Sequence, residues 1–236
     1  MPRLLLGLCV LALLGTGCGR GDVESKRDAA TESGGPARGG GTDFDDEPDP
    51  VTSPLAGIAL CSEDGPCVTA DGRGKGTIKR GQAEGVWTVF APTGQRIAEG
   101  AMKGGKPDGA WQRWTPQGAL MEEGRWVDGK PHGVWRMFRP DGSLFETVTF
   151  VDGLRDGAWV MFHVNGKPAE EMVWSKGQQV GIQNDYAPSG ERLARGHFEA
   201  HRPVGQWTCF DGEKERSVPA PGTRLTPAEA CGHEVE

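Results

Sequence analysis

The sequence has a single tyrosine and, beyond its first fourteen residues, few leucines, isoleucines or valines. A chain so short of aliphatic side chains cannot build the interior of a conventional globular domain. No apolar run reaches the roughly 20 residues that a membrane-spanning helix needs. Basic charge is not in excess where most of the chain lies. Residues 76–212 hold 16 Lys or Arg against 16 Asp or Glu, so the basic face of a nucleic-acid binder is missing and no nucleic-acid partner is expected. Catalytic signatures are missing too. Gly72-Arg73-Gly74-Lys75-Gly76-Thr77 suggests a phosphate loop, but Lys75 is followed by Gly and no strand–loop–helix surrounds it. There is no Gly-x-Ser-x-Gly elbow. His197-Phe198-Glu199-Ala200-His201 lacks the spacing of a helical metal motif. The chain is therefore expected not to be an enzyme and to carry no catalytic residue, cofactor or metal; a small-molecule ligand is not expected either.

What is present starts with a sorting signal. Arg3 precedes an apolar run, Leu4 to Leu14, of the length of a signal-peptide core. Leu14-Gly15-Thr16-Gly17-Cys18 then resembles the bacterial lipobox, with residues 1–17 removed and Cys18 acylated, palmitate being one such chain. The usual Leu three residues before the Cys is here Gly15, and an ordinary secretory signal is the alternative. Gly19 rather than Asp follows, which by resemblance to enterobacterial sorting favours the outer membrane. Anchoring would be through acyl chains alone, at about 0.8 kcal/mol per buried CH₂.

Residues 18–55 form the next segment. From 19 to 55 there are nine acidic and four basic residues and one aromatic, Phe44. Such a composition cannot bury enough apolar surface to offset ordering, so a flexible acidic linker spanning roughly 35 Å is expected. Asp43, Asp45, Asp46, Glu47 and Asp49 lack EF-hand spacing.

The remainder is periodic. Gly85/Trp87, Gly109/Trp111, Gly133/Trp135, Gly157/Trp159 and Gly205/Trp207 repeat on a 24-residue clock. Gly181 keeps register at the one missing Trp, where Gln183 stands. Phe90, Trp114, Phe138, Phe162, Tyr186 and Phe210 keep the same period, as do Met102, Trp126, Phe150, Trp174 and Phe198. Gly94, Gly118, Gly142, Gly166 and Gly190 mark turns, most preceded by Pro two residues earlier, as a type I turn prefers. Each unit predicts a β-hairpin, with one strand from about Val86 to Phe90 and another from about Ile97 to Met102. A Gly-rich link such as Asp128–Gly133 leads to the next unit. The fold class is thus all-β, an elongated array of about six 24-residue hairpins over 76–212. At two strands per unit the array advances about 10 Å per repeat. Strand alternation puts Trp87 and Val89 on one face and Val86, Thr88 and Phe90 on the other.

The spacing of Gly124-Arg125-Trp126-Val127-Asp128-Gly129-Lys130-Pro131-His132-Gly133-Val134-Trp135 resembles MORN repeats, in the variant form found in bacterial toxin–antitoxin-associated repeat proteins. The resemblance covers about residues 76–212. It implies a fold more than a function. Gln178, Gln179 and Gln183 depart from it, marking a local break or a binding notch. Trp87, Trp111, Trp135, Trp159 and Trp207 are assigned to packing, since a buried aromatic covers about 150–250 Å². Trp114, Trp126 and Trp174 are the candidate ligand-binding residues.

Cys61, Cys67, Cys209 and Cys231 remain after Cys9 and Cys18, and four cysteines allow three pairings. Asp64-Gly65-Pro66 signals a turn and favours Cys61 with Cys67, closing a hairpin cap over 56–75. Thr226-Pro227-Ala228-Glu229 is a capping box with Pro at the first helical position, and Gly232 can end the helix. A short C-terminal helix within 213–236, stapled through Cys209 and Cys231, is expected as the second cap. A four-Cys zinc site is the alternative. Together these features predict a lipid-anchored, non-catalytic module of the cell envelope that binds a protein partner. The family resemblance adds a second reading, an antitoxin- or immunity-like protein that occludes a toxin.

Overall fold

The computed structural model describes residues 54–222 and 225–233. The signal segment, Cys18 and nearly all of the acidic linker lie outside them. The described chain forms one antiparallel sheet of 14 strands whose spatial order is the chain order. The strands are β1 (Gly65–Val68), β2 (Gly74–Lys79), β3 (Gln82–Phe90), β4 (Arg96–Lys103), β5 (Lys106–Trp114), β6 (Leu120–Val127) and β7 (Lys130–Phe138). They continue with β8 (Leu144–Val151), β9 (Leu154–Phe162), β10 (Pro168–Ser175), β11 (Gln178–Tyr186), β12 (Arg192–Glu199), β13 (Arg202–Asp211) and β14 (Lys214–Pro219). A single four-residue helix, α1 (Pro227–Ala230), follows.

The hairpin turns form as their residues predict. Gly94 N–H donates to the Ala91 carbonyl at 2.8 Å, and Ala91 N–H to the Gln95 carbonyl at 2.8 Å. The links between units are shorter than expected. Asp128 and Gly129, both left-handed (φ 48° and 82°), make the whole turn, and Lys130–Gly133 already belong to β7. The strands are correspondingly longer, eight or nine residues through most of the array rather than five. Each link is also stitched to the previous one. Gly129 N–H donates to the Pro107 carbonyl at 2.8 Å, and Gly153 N–H to that of Pro131 at 3.0 Å.

Why does Gly not end the strand at the Gly-x-Trp position? Lys75 faces Thr88 but Thr77 faces Glu84, so four residues of β3 run against two of β2. The same slip recurs at β4/β5, β6/β7, β8/β9, β10/β11 and β12/β13. Gly85 sits in the slip with φ 74°, a conformation open to glycine at little cost. The strand bulges there, bends and continues.

The slip turns four of the five Trp indoles flat across the neighbouring strand, onto a second glycine. A Cβ on Gly76 would lie 2.3 Å from the Trp87 ring. Gly100 under Trp111, Gly124 under Trp135 and Gly196 under Trp207 are equally close. The indole N–H then reaches a backbone carbonyl: Trp87 to Thr77 (3.2 Å), Trp111 to Ala101 (2.8 Å), Trp135 to Arg125 (3.2 Å). A second buried file, Met102, Trp126, Phe150, Trp174 and Phe198, interleaves with the first. Trp126 meets Trp135 edge-on at 5.5 Å between centroids. This inner face is the core. Val86, one residue from Trp87, is 65% exposed on the opposite face, as strand alternation predicts.

Both ends of the inner face are covered. Leu55 and Ile58 pack into the cluster that contains Ile78 and Trp87. The Cys61–Cys67 disulfide closes that cap, and Asp64 accepts from the N–H groups of Arg80 and Gly81 at 2.8 and 2.9 Å. At the other end α1 packs on β11, β12 and β13, held by the Cys209–Cys231 disulfide. Its capping box is formed in both directions between Thr226 and Glu229.

The Trp–Gly contact sets a testable cost. A Cβ at Gly100 would stand 2.2 Å from the Trp111 ring and 2.5 Å from the Ala110 carbonyl oxygen, and backbone cannot rotate away. Gly100→Ala is expected to lower stability by about 2–3 kcal/mol in urea unfolding. Gly118→Ala, in open space at φ 90°, costs only about 1 kcal/mol. Equal losses at the two positions would remove close approach as the reason for Gly100.

Candidate functional site

The inner face has little surface to offer a ligand. Trp126 and Trp174, two of the three aromatics assigned to binding, are 2% and 5% exposed. Their register matches buried Met102, Phe150 and Phe198, so their rings are core. Among the five Trp assigned to packing, four are fully buried and Trp159 is half-buried. Val148 stands where four of the other units carry the close-approach glycine, and Trp159 bonds to the Glu146 carboxyl instead. Burial raises the Glu146 pKa, and that bond opposes the rise.

The break at the fifth unit is a buried polar chain. Gln179 Nε2 donates to Gln183 Oε1 at 2.8 Å, and Gln183 Nε2 donates to Asp185 Oδ1 at 2.9 Å. Asp185 Oδ2 accepts the Ala228 N–H at 2.6 Å. Replacing Trp by Gln183 thus continues a path of hydrogen bonds to the first turn of α1. The neighbouring turn departs as well: His201 takes the left-handed position that Gly fills in other links (φ 65°). Its Nδ1 accepts the Gln179 N–H at 3.3 Å, and its ring lies 5.4 Å from that of Trp174. His197 lies on the exposed side of β12. The notch is therefore filled from within the chain, by its own C-terminal cap.

The outer face is different. One row of side chains crosses it from strand to strand: Thr88, Glu99, Gln112, Glu123, Arg136 and Thr147. It continues through Val160, Glu171, Asn184, Arg195 and Thr208. The first part is internally paired: Thr88 donates to Glu99 (3.1 Å), Gln112 to Glu123 (3.2 Å), and Arg136 approaches Glu123 at 3.5 Å. Beside the row run half-buried Phe90, Trp114, Phe138, Phe162, Tyr186 and Phe210. Trp114, the third residue assigned to binding, belongs here, with the Arg96 guanidinium 4.0 Å from its ring centroid.

Over β9–β13 the outer face hollows. A trough of about 490 Å³ has an apolar floor from Ala158, Val160, Val173 and Ile182, with Glu171, Asn184, Arg192 and Arg195 around it. A second hollow of about 250 Å³ shares Ile182 and Arg195 and adds Gln206 and Thr208. Tyr186 donates its hydroxyl to Glu171 at 2.7 Å, and Arg192 lies over the rings of Tyr186 and Phe210 at 5.8 and 5.6 Å. Among the described residues the side chains of Asn184, Arg195 and Thr208 make no hydrogen bond or ion pair. Sequence reasoning passed over this cluster. A signal was present: the register of Arg195 reads Glu99, Glu123, Thr147, Glu171, then Arg, an inversion of charge at one strand position.

Residues 131–152 match the family model described as MORN repeat variant, which covers most of β7 and β8. No curated protein matches the chain. Among solved structures it is similar to the glycosylation-associated protein (Gap123) complex from Streptococcus agalactiae, at 22% identity and a TM-score of 0.27, over 39% of this chain and 17% of that one. It is also similar to an S. aureus TarM mutant in complex with fondaparinux, alpha-GlcNAc-glycerol and UDP. There the identity is 17% and the TM-score 0.27, over 54% of this chain and 20% of that one.

The buried network makes the cap sensitive to pH. Burial pushes the Asp185 carboxyl up to about 6, against the opposing bonds from Gln183 and Ala228. Its folded pKa lies above the unfolded value, so the folded chain holds a proton that the unfolded chain has released between about pH 4 and 6. Protonation therefore favours the folded state, and this contribution is lost as pH rises through 6. Relative to Asp185→Asn, whose amide is neutral throughout, the parent should gain about 2 kcal/mol between pH 7.5 and pH 4.5. A pH-independent difference between the two in chemical unfolding would contradict this. Asp185→Ala orphans two donors and should cost about 2–4 kcal/mol at pH 4.5.

Proposed function

We propose that this protein is a non-catalytic, protein-binding repeat module, acylated at Cys18 and tethered by its acidic linker to the bacterial cell envelope, most simply the outer membrane. One observation carries the binding half of the reading. The two faces of the sheet are unequal: the inner one is consumed by Trp packing and two caps, while the outer one keeps exposed apolar and unpaired polar groups. Aromatics and arginine on such a surface suit the anchors of protein interfaces. The anchoring half rests on the lipobox-like Leu14–Cys18 and the apolar run before it. Two disulfides accord with export to an oxidising compartment.

Two measurements test the two halves. Cys18→Ser should abolish incorporation of labelled palmitate and release the chain from the membrane fraction; retained labelling would refute acylation at Cys18. Crosslinking with the full chain in detergent-solubilised envelope should capture a discrete protein. Capture should fall at least about tenfold with Trp114→Ala plus Ile182→Asp, as loss of interface anchors requires. Recovery of nothing specific, or equal recovery by the variant, would overturn the outer face as a protein-binding surface. If the captured partner were a toxin silenced by the complex, the antitoxin-like reading would replace simple scaffolding.

A further inference from the structure

We infer that the trough over β9–β13 takes an extended polypeptide segment that carries both carboxylates and small aliphatic side chains. The inference rests on the outer face being the binding surface and names what it binds. Its geometry favours a chain. The trough and the second hollow, which share Ile182 and Arg195, together cross four strand spacings from β9 to β13, about 19 Å, the reach of roughly six extended residues. The floor is aliphatic, from Ala158, Val160, Val173 and Ile182, and seats aliphatic side chains. The rings beside the trough do not offer a flat open platform for sugars, because Arg192 lies over both Tyr186 and Phe210.

The charge selects the segment. Arg192 and Arg195 face Glu171 across the trough, and Glu171 is held by the Tyr186 hydroxyl. That leaves one positive charge over, on the exposed guanidinium of Arg195. Its planar fork suits a carboxylate in two-point contact. Asn184, next to Arg195 in the cross-strand row, offers a donor and an acceptor to a main-chain amide. His197 borders the second hollow. No acidic side chain lines that hollow.

The test uses the full chain in mild detergent and a fluorescein-labelled peptide of about twelve residues repeating Val-Val-Asp-Asp, which puts both residue types on each face of an extended strand. Anisotropy should report saturable binding that weakens with salt. Arg195→Glu should weaken it at least about tenfold and should bind the Val-Val-Lys-Lys counterpart better than the parent does. Arg195 is exposed, so the variant should keep the parent's circular dichroism. Equal binding by parent and Arg195→Glu would overturn the inference. So would absence of peptide binding, or binding of an oligogalacturonate in its place. Those results would leave the wider proposal standing wherever envelope crosslinking still captures a protein through the outer face, so the two failures are distinguishable.

Discussion

The contact between a Trp indole and a glycine on the neighbouring strand is what the rest of the sheet depends on. A lone antiparallel sheet has no second layer to bury its apolar side chains. Here the layer is supplied by the side chains themselves, laid sideways. For an indole to lie flat, the strand beneath must lack a Cβ, and the strand that carries the Trp must rotate it over. The glycine beneath meets the first need and the register slip at Gly-x-Trp the second. Neither works alone: with a side chain below, Trp159 over Val148 stays half-buried and turns its N–H to a carboxyl.

The same constraint explains where the repeat fails. Trp at position 183 would have Met172 beneath it rather than glycine, as the 24-residue clock shows. The chain places Gln183 there and converts an apolar layer into a path of amides ending on Asp185. That path does a structural job: its last acceptor receives the Ala228 N–H of the cap. A solenoid needs a different residue set at its ends than in its middle, and this is where the change begins. Placing a carboxylate at the end has an electrostatic cost, visible as the raised pKa of Asp185.

Most of this architecture was legible in the sequence because it is periodic. The clock located the hairpins, the two faces and the break at Gln183, and the Thr226-Pro227-Ala228-Glu229 motif located the capping box. Three things were not legible, each for a physical reason. Strand length was underestimated because glycine usually ends strands, whereas Gly133 lies within one, at a bulge. The burial of Trp126 and Trp174 could not be inferred from side-chain size. It follows from the face their register occupies, the one shared with buried Met102, Phe150 and Phe198. The trough was missed because it arises from four strands whose residues are far apart in the chain. Only Arg195, by breaking an acidic register, left a trace.

That division also bears on function. Positions on the inner face answer to packing: each must fit the strand beside it, and 24-residue identity follows from geometry. Outer positions carry no such demand, since nothing in the described chain covers them. Variation there is free to follow a ligand. The outer row indeed changes along the array, from Glu99 and Glu123, paired with their neighbours, to Arg195 with no ion-pair partner among the described residues. A purely structural array would gain nothing by leaving a guanidinium unpaired beside an apolar hollow while neutralising the same row elsewhere. The asymmetry along the row, rather than the repeat itself, is the physical ground for proposing recognition on this face.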